Sequence, residues 1–259
     1  MGHGEFADTQ SKGTFFKENR MGTWRSIFFL ALFSMTCAAV FAADGAEEKL
    51  HMRYQWSIDA NYPRLDDEKL DEELRRQLGA WLTEAITEVA EVAEPAPENP
   101  EGSWDMDVDY SISRPSDGAV SVVFDYSSYP SGAAHPMSGV RVVNLATKDG
   151  RLVTPDALFR DPEKALEILA ANAPGLVKAQ MREENPDLFP EEPDEETFFM
   201  EGFLPTPENY ANLSLEPEGV RVHFQLYQIL PYVFGMADPL VPLKLLEPAG
   251  PNAEFWPGS

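Results

Sequence analysis

Residues 104–112 alternate without interruption. Trp104, Met106, Val108, Tyr110 and Ile112 are apolar or aromatic, and Asp105, Asp107 and Asp109 fill places between them. A period of two sends successive side chains to opposite faces, so this stretch predicts a half-buried strand with an acidic outer face. Pro115-Ser116-Asp117-Gly118 is turn chemistry. Residues 119–126 return as a second strand, which makes 104–126 a β-hairpin. A third strand is predicted at 139–145, followed by a tight turn over 146–150. The same pattern predicts a strand at 51–60, with Met52, Tyr54, Trp56 and Ile58 on one face. Strands at 211–215 and 220–226 form a further hairpin across Glu216-Pro217-Glu218-Gly219. A last strand is predicted at 240–246, where Pro242 marks an edge or a strand end.

A period of three and four replaces the period of two in 66–93. Leu70, Leu74, Leu78, Trp81, Leu82, Ala85, Ile86 and Val89 make one apolar stripe of a helix. Asp66, Asp67 and Glu68 sit in its first turn, where the helix dipole favours them. A short helix is predicted at 155–159, with Thr154 as N-cap and Pro155 at the first helical position. A second amphipathic helix is predicted at 162–171, with Ala165, Leu166 and Leu169 inward. Pro174-Gly175 is expected to break it before 176–181 resumes. Strands and helices mix without regular βαβ alternation. The expected class is therefore α+β: mainly antiparallel sheet with sequential hairpins and two or three packed amphipathic helices. The expected divisions are 1–42, an upstream segment and signal; 43–100, a small strand–helix region; 101–248, the main α+β domain; and 249–259, a loose tail.

The first forty residues change the picture of where the protein works. Trp24-Arg25 leads into the apolar run that begins at Ser26-Ile27-Phe28-Phe29-Leu30, and small residues follow as far as Ala43. A basic flank, an apolar region and small residues are the pattern of a secretory signal over 21–42, with cleavage expected after Ala42; the alternative is an uncleaved membrane anchor. The exported chain is expected to be periplasmic or secreted, without membrane attachment after cleavage. Cys37, the single cysteine, lies inside that run. The exported chain therefore has no cysteine for a disulfide, a thiol nucleophile or a thiolate metal site.

Charge narrows the partners. The chain carries 44 Asp and Glu against 20 Lys and Arg, a formal net charge of −24. Such a surface repels nucleic acid and anionic lipid headgroups and attracts cations and basic proteins. The Asp105–Asp109 alternation is not a calcium loop. Tyr110 and Ser116 stand where an EF-type loop beginning at Asp105 would need Gly and Glu. No metal and no cofactor are expected.

Candidate chemistry concentrates in two loops. The first is Tyr129-Pro130-Ser131-Gly132-Ala133-Ala134-His135-Pro136, just beyond the second hairpin strand. Its small residues permit close backbone approach. His135 is either a local brace or a functional group, and Ser127, Ser128 and Ser131 are the hydroxyls near it. No Gly-x-Ser-x-Gly elbow surrounds any of them. The second is Tyr227-Gln228-Ile229-Leu230-Pro231-Tyr232-Val233-Phe234-Gly235, where Pro231 and Gly235 predict a fixed corner. A groove lined by Tyr126, Tyr129, Tyr227 and Tyr232 would suit a glycan or an extended peptide. The candidate binding residues are Tyr126, Tyr129, Ser131, Gly132, His135, Tyr227, Pro231, Tyr232 and Gly235; no catalytic residue is assigned. His223 alternates outward from Val222 and Phe224 and is expected to be exposed or pair-bonded.

These two loops, together with Asn144-Leu145, Asp149-Gly150-Arg151-Leu152-Val153 and Val241-Pro242, resemble a domain-of-unknown-function family of bacterial envelope proteins. That domain forms the extracellular part of RsiV-type anti-sigma factors, which bind lysozyme. It also forms the non-catalytic N-terminal part of PdaC-type peptidoglycan deacetylases. The resemblance covers about 104–247. Ser131-Gly132-Ala133-Ala134-His135 departs from the family's more usual double glycine before Ala-His. The resemblance implies an exported, non-enzymatic binding module whose partner is a cationic envelope protein such as lysozyme, or peptidoglycan fragments. The competing expectation is a cell-wall hydrolase or glycan-binding domain that uses the Ser131–His135 loop.

Overall fold

The computed structural model describes residues 55–92, 103–190, 193 and 197–258. The predicted signal and the start of the first strand lie outside the described residues. Strand β1 (Gln55–Ala60) leads to helix α1 (Glu68–Val92), then to β2 (Ser103–Ser116), β3 (Ala119–Pro130) and β4 (Met137–Ala146). These strands form one sheet in the order β1-β2-β3-β4. The hairpin pairs are antiparallel. β1 lies parallel to β2, with Gln55 opposite Ser103 and Ala60 opposite Val108.

The apolar stripe of α1 does what its spacing predicts. Leu70, Leu74 and Leu78 are buried against Trp104, Met106, Val108, Val120, Val122 and Phe124 on one face of this sheet. Asp67 starts the helix by accepting from the backbone N–H groups of Lys69 and Leu70, at 2.9 and 3.2 Å.

The second core lies on the sheet's other face, over Ala119 and Ala146. It is closed by helix α2 (Pro162–Glu184) and by a smaller sheet of β5 (Leu213–Glu216), β6 (Gly219–Val222) and β7 (Leu240–Pro242). Asp161 caps α2 by accepting from the Lys164 N–H at 3.0 Å. The architecture is α+β, with two sheets that are antiparallel apart from the β1–β2 pair.

Four local expectations are corrected. Pro174 does not break α2. Ala165, Leu169, Ala173, Val177 and Met181 form an unbroken buried stripe at a spacing of four, and that burial outweighs the cost of about 3 kcal/mol of an interior proline. The predicted strand at 240–246 stops at Pro242. Leu243–Leu246 is a turn of helix, α3: the Leu243 N–H makes the last ladder bond, to Glu218 O at 2.7 Å, and β6 begins at Gly219, so no partner strand remains beyond it. The tail is not loose: Phe255 is fully buried and Trp256 nearly so. Thr154 occupies the N-cap place but its side chain makes no capping bond.

Candidate functional site

β5 and the elements around it cover only part of the second face of the large sheet. The covered part is fixed by side chains that serve as backbone partners. Gln225 accepts from the Val140 N–H at 3.0 Å and donates to Val140 O at 2.6 Å, as a neighbouring strand would. Asn212 Oδ1 accepts from the Val142 N–H at 3.2 Å. The outer edge of β4 is therefore occupied, which removes a template for pairing with another chain.

The uncovered part is acidic. Asp59, Asp105, Asp107, Asp109 and Asp125 share this face and are exposed. Asp107 lies beside Asp59 on one neighbouring strand, and Asp109 lies opposite Asp125 on the other. Among the described residues, no Lys or Arg occupies a strand position on this face of the sheet. Partial desolvation, and then the charges of Asp238 and Asp109, push the Asp125 carboxyl above its usual range although solvent still reaches it. The negative charge is thus crowded and unneutralised. Among the described residues no group of His, Cys, Asp and Glu side chains is close enough to hold a metal ion.

An aromatic rim adjoins this face. Tyr129 lies on it, opposite Asp105, and its hydroxyl donates to Ala133 O at 3.1 Å. Ser131 and Gly132 turn the chain. The Ala133 N–H bonds Pro130 O at 3.0 Å, and Gly132 takes φ +91°, as this turn requires. The loop then brings His135 against Tyr232, with ring centroids 4.2 Å apart. The Tyr232 hydroxyl points to Pro136 O at 3.5 Å. Tyr227 packs on Tyr232 at 5.8 Å.

The corner that holds these tyrosines has the expected chemistry. Pro231 enters a short 3-10 turn over Tyr232–Phe234, and Gly235 leaves it at φ +74°. Tyr227 has φ +64°, a left-handed backbone that few non-glycine residues adopt. It occupies the third place of a turn closed by the Gln228 N–H and Gln225 O at 3.0 Å. Tyr227 remains 45% exposed. Strain of this kind concentrates at sites that use it.

The structure divides the predicted residues. Tyr129, Ser131, Gly132 and His135 lie on one loop, and Tyr227, Pro231, Tyr232 and Gly235 on the other; His135 and Tyr232 join them. Tyr126 lies on the opposite face of the sheet, 5.2 Å from the Trp81 ring beneath α1, so it lines no common groove with Tyr129. A strand sends residues three apart to opposite faces.

The histidines show what the site can do chemically. His135 Nδ1 lies 3.0 Å from Pro136 O, so that nitrogen carries the proton and donates. Ser128 accepts from the Trp104 indole. Among the described residues no carboxylate bonds the His135 ring, so the third member of a triad is missing. Of the two outcomes expected for His223, it is pair-bonded rather than exposed, and it is buried. Its Nε2 lies 2.9 Å from Ser214 Oγ, and Ser214 is fully buried. Burial pushes the His223 pKa down to about 4. Asp238 opposes this shift and Arg221 adds to it. The pair is a neutral Ser–His contact sealed in the core, and periodicity alone gave no sign of it.

Residues 156–244 match the family described as a protein of unknown function, DUF3298. Residues 53–138 match the family described as deacetylase PdaC. The acidic face falls in the second match, and the Tyr227–Gly235 corner in the first. No curated protein matches the chain. A crystal structure of a DUF3298 family protein from Pseudomonas aeruginosa shares the fold, with a TM-score of 0.52 and 16% identity over 92% of this chain and 96% of that one. A DUF3298 family member from Bacteroides fragilis aligns with a TM-score of 0.49 and 15% identity over 80% of this chain and 89% of that one.

Proposed function

We propose that this chain is an exported, non-enzymatic binding module of the bacterial envelope that docks a cationic protein on the acidic face of its large sheet. One observation supports the reading: Asp59, Asp105, Asp107, Asp109 and Asp125 crowd one open face where, among the described residues, no strand position holds a basic residue. Desolvation is the larger cause of the raised Asp125 pKa, and a basic partner offsets the second, the repulsion from Asp238 and Asp109. Tyr129, Tyr227 and Tyr232 supply ring faces for its Lys and Arg side chains at the rim. Lysozyme is the partner type implied by the family resemblance. Export rests on the pattern of residues 21–42.

The hydrolase alternative has weaker support. His135 donates to a backbone carbonyl and lacks a carboxylate partner among the described residues.

The test is calorimetric titration of the chain from Ala43 onward with hen lysozyme, at low and moderate salt. We expect saturable one-to-one binding that salt weakens. The triple substitution Asp105→Asn, Asp107→Asn, Asp109→Asn should weaken it by about tenfold or more, chiefly through the association rate. Affinity indifferent to both salt and the triple substitution removes the electrostatic reading. Binding of peptidoglycan fragments in its place, lost on altering Tyr227 or Tyr232, moves the function to glycan recognition.

A further inference from the structure

The opposite side of the same sheet carries a second site of different chemistry. An open groove of about 470 Å³ runs between α1 and β4, and its walls include Gln77, Trp81, Thr83, Glu84, Thr87 and Arg141. That volume is within the usual range for small-molecule sites of about 300–1,000 Å³. Arg141 is placed there by register. It lies directly opposite Phe124, whose ring is 6.2 Å from Trp81. Trp81 is held from below by Phe124 and Tyr126 and presents the rest of its ring to the groove.

The hydrogen-bonding inventory of these walls is weighted to acceptors, with the Trp81 indole N–H and one Gln77 amide proton as neutral donors. Thr83 Oγ donates to Gly79 O at 2.7 Å, and Thr87 Oγ donates to Thr83 O at 2.8 Å. Both hydroxyl protons are used within the helix, so what each offers a ligand is lone pairs. Gln77 spends one amide proton on Glu73 at 2.8 Å and keeps the other together with its carbonyl oxygen. Glu84 offers only acceptors. Against these acceptors stands one cationic donor, Arg141. It is exposed and, among the described residues, makes no ion pair in a chain of net charge −24. A ligand that fits is rich in O–H donors, carries one carboxylate for the guanidinium, and has an apolar ring face to lie on Trp81.

We infer that the α1–β4 groove binds a sugar acid, a pyranose ring bearing a carboxylate, with Arg141 on the carboxylate and Trp81 under the ring. The site is independent of the acidic face and of any protein docked there.

The experiment titrates sodium glucuronate into the chain from Ala43 onward by calorimetry, with glucose and sodium acetate as probes of each half of the ligand. Glucuronate should bind saturably, and glucose and acetate each at least about tenfold more weakly. Arg141→Gln removes the cation from an exposed position, and Ala80→Trp fills the groove from an exposed helical position. Each should cost about tenfold or more in glucuronate affinity, with circular dichroism and melting temperature unchanged. The inference is overturned if glucuronate does not saturate, if either variant binds like the parent, or if acetate or glucose binds as tightly as glucuronate.

Discussion

Ser121 and Asn144 face each other across β3 and β4, and Ser121 Oγ donates to Asn144 Oδ1 at 2.5 Å in a fully enclosed site. The pair also holds the second sheet. Ser121 Oγ accepts from the Leu215 N–H at 2.8 Å, and Asn144 Nδ2 donates to Leu213 O at 2.7 Å. Two side chains thus complete the free edge of β5, a place where buried backbone groups would otherwise go unpaired. Asn144→Leu should therefore destabilise by about 2–4 kcal/mol, since it strands Leu213 O and unbalances Ser121. Urea unfolding measures it. The double variant with Ser121→Ala should cost less than the sum of the two single changes, because both act on one network.

The strain at Tyr227 makes a sign-specific prediction. A non-glycine residue in the left-handed region costs about 1–2 kcal/mol, and a glycine there gives back about 0.5–1 kcal/mol in chain entropy. Tyr227→Gly should leave stability unchanged or raise it by up to about 1 kcal/mol. If Tyr227 is a contact residue, the same variant should bind the partner more weakly. A stability loss of more than about 1 kcal/mol would show that the ring, packed on Tyr232, is a structural brace instead.

How much of this was legible in the sequence depends on the range of the contacts. The 104–126 hairpin reads directly because Trp104, Met106 and Val108 alternate with aspartates and the turn is local. The α1 stripe reads for the same reason. The acidic outer face of β2 was also visible, but its union with Asp59 and Asp125 needs the pairing register. Pro174 was misread because a local rule yields to a buried stripe that only the tertiary core creates. His223 reads as exposed or pair-bonded, and its partner Ser214 is set by the pairing of β5 with β6, which alternation along one strand does not give. The meeting of His135 with Tyr232 joins two loops far apart in the chain, and no periodicity encodes such a contact. Arg141 went unremarked, since an arginine in a strand carries no motif.

The closing segment should behave as part of the core. Phe255 is fully buried, the Trp256 indole donates to Glu216 O at 2.9 Å, and Arg151 pairs with Glu254 at 2.7 Å. Gly118 lets this segment approach, since a Cβ there would collide with Glu254 O. Phe255→Ala should cost about 3–5 kcal/mol, the usual range for a buried aromatic. Gly118→Ala should destabilise in the same assay, while Glu254→Gln at the exposed pair should change stability by less than about 1 kcal/mol. Protease resistance of the 250–258 segment gives an independent reading.

The His223–Ser214 contact predicts how stability depends on pH. Burial favours the neutral imidazole, so the folded pKa near 4 lies below the ordinary value of 6.5. Above pH 6.5 both states hold neutral histidine and this group is silent. As pH falls from about 6.5 towards 4, the unfolded chain takes up a proton that the folded chain refuses, and stability is lost. The full loss, reached below pH 4, is roughly 3 kcal/mol for a shift of this size. Asp125 acts in the other direction. Its raised pKa disfavours the charged folded form, and protonation of that carboxyl restores some stability on acidification. The comparison that isolates the histidine is urea unfolding of the parent and of His223→Gln at pH 7, 5.5 and 4. Gln retains an amide partner for Ser214 but does not titrate. The parent should lose stability relative to the variant across this window, and parallel curves would show that His223 is protonated in the folded protein.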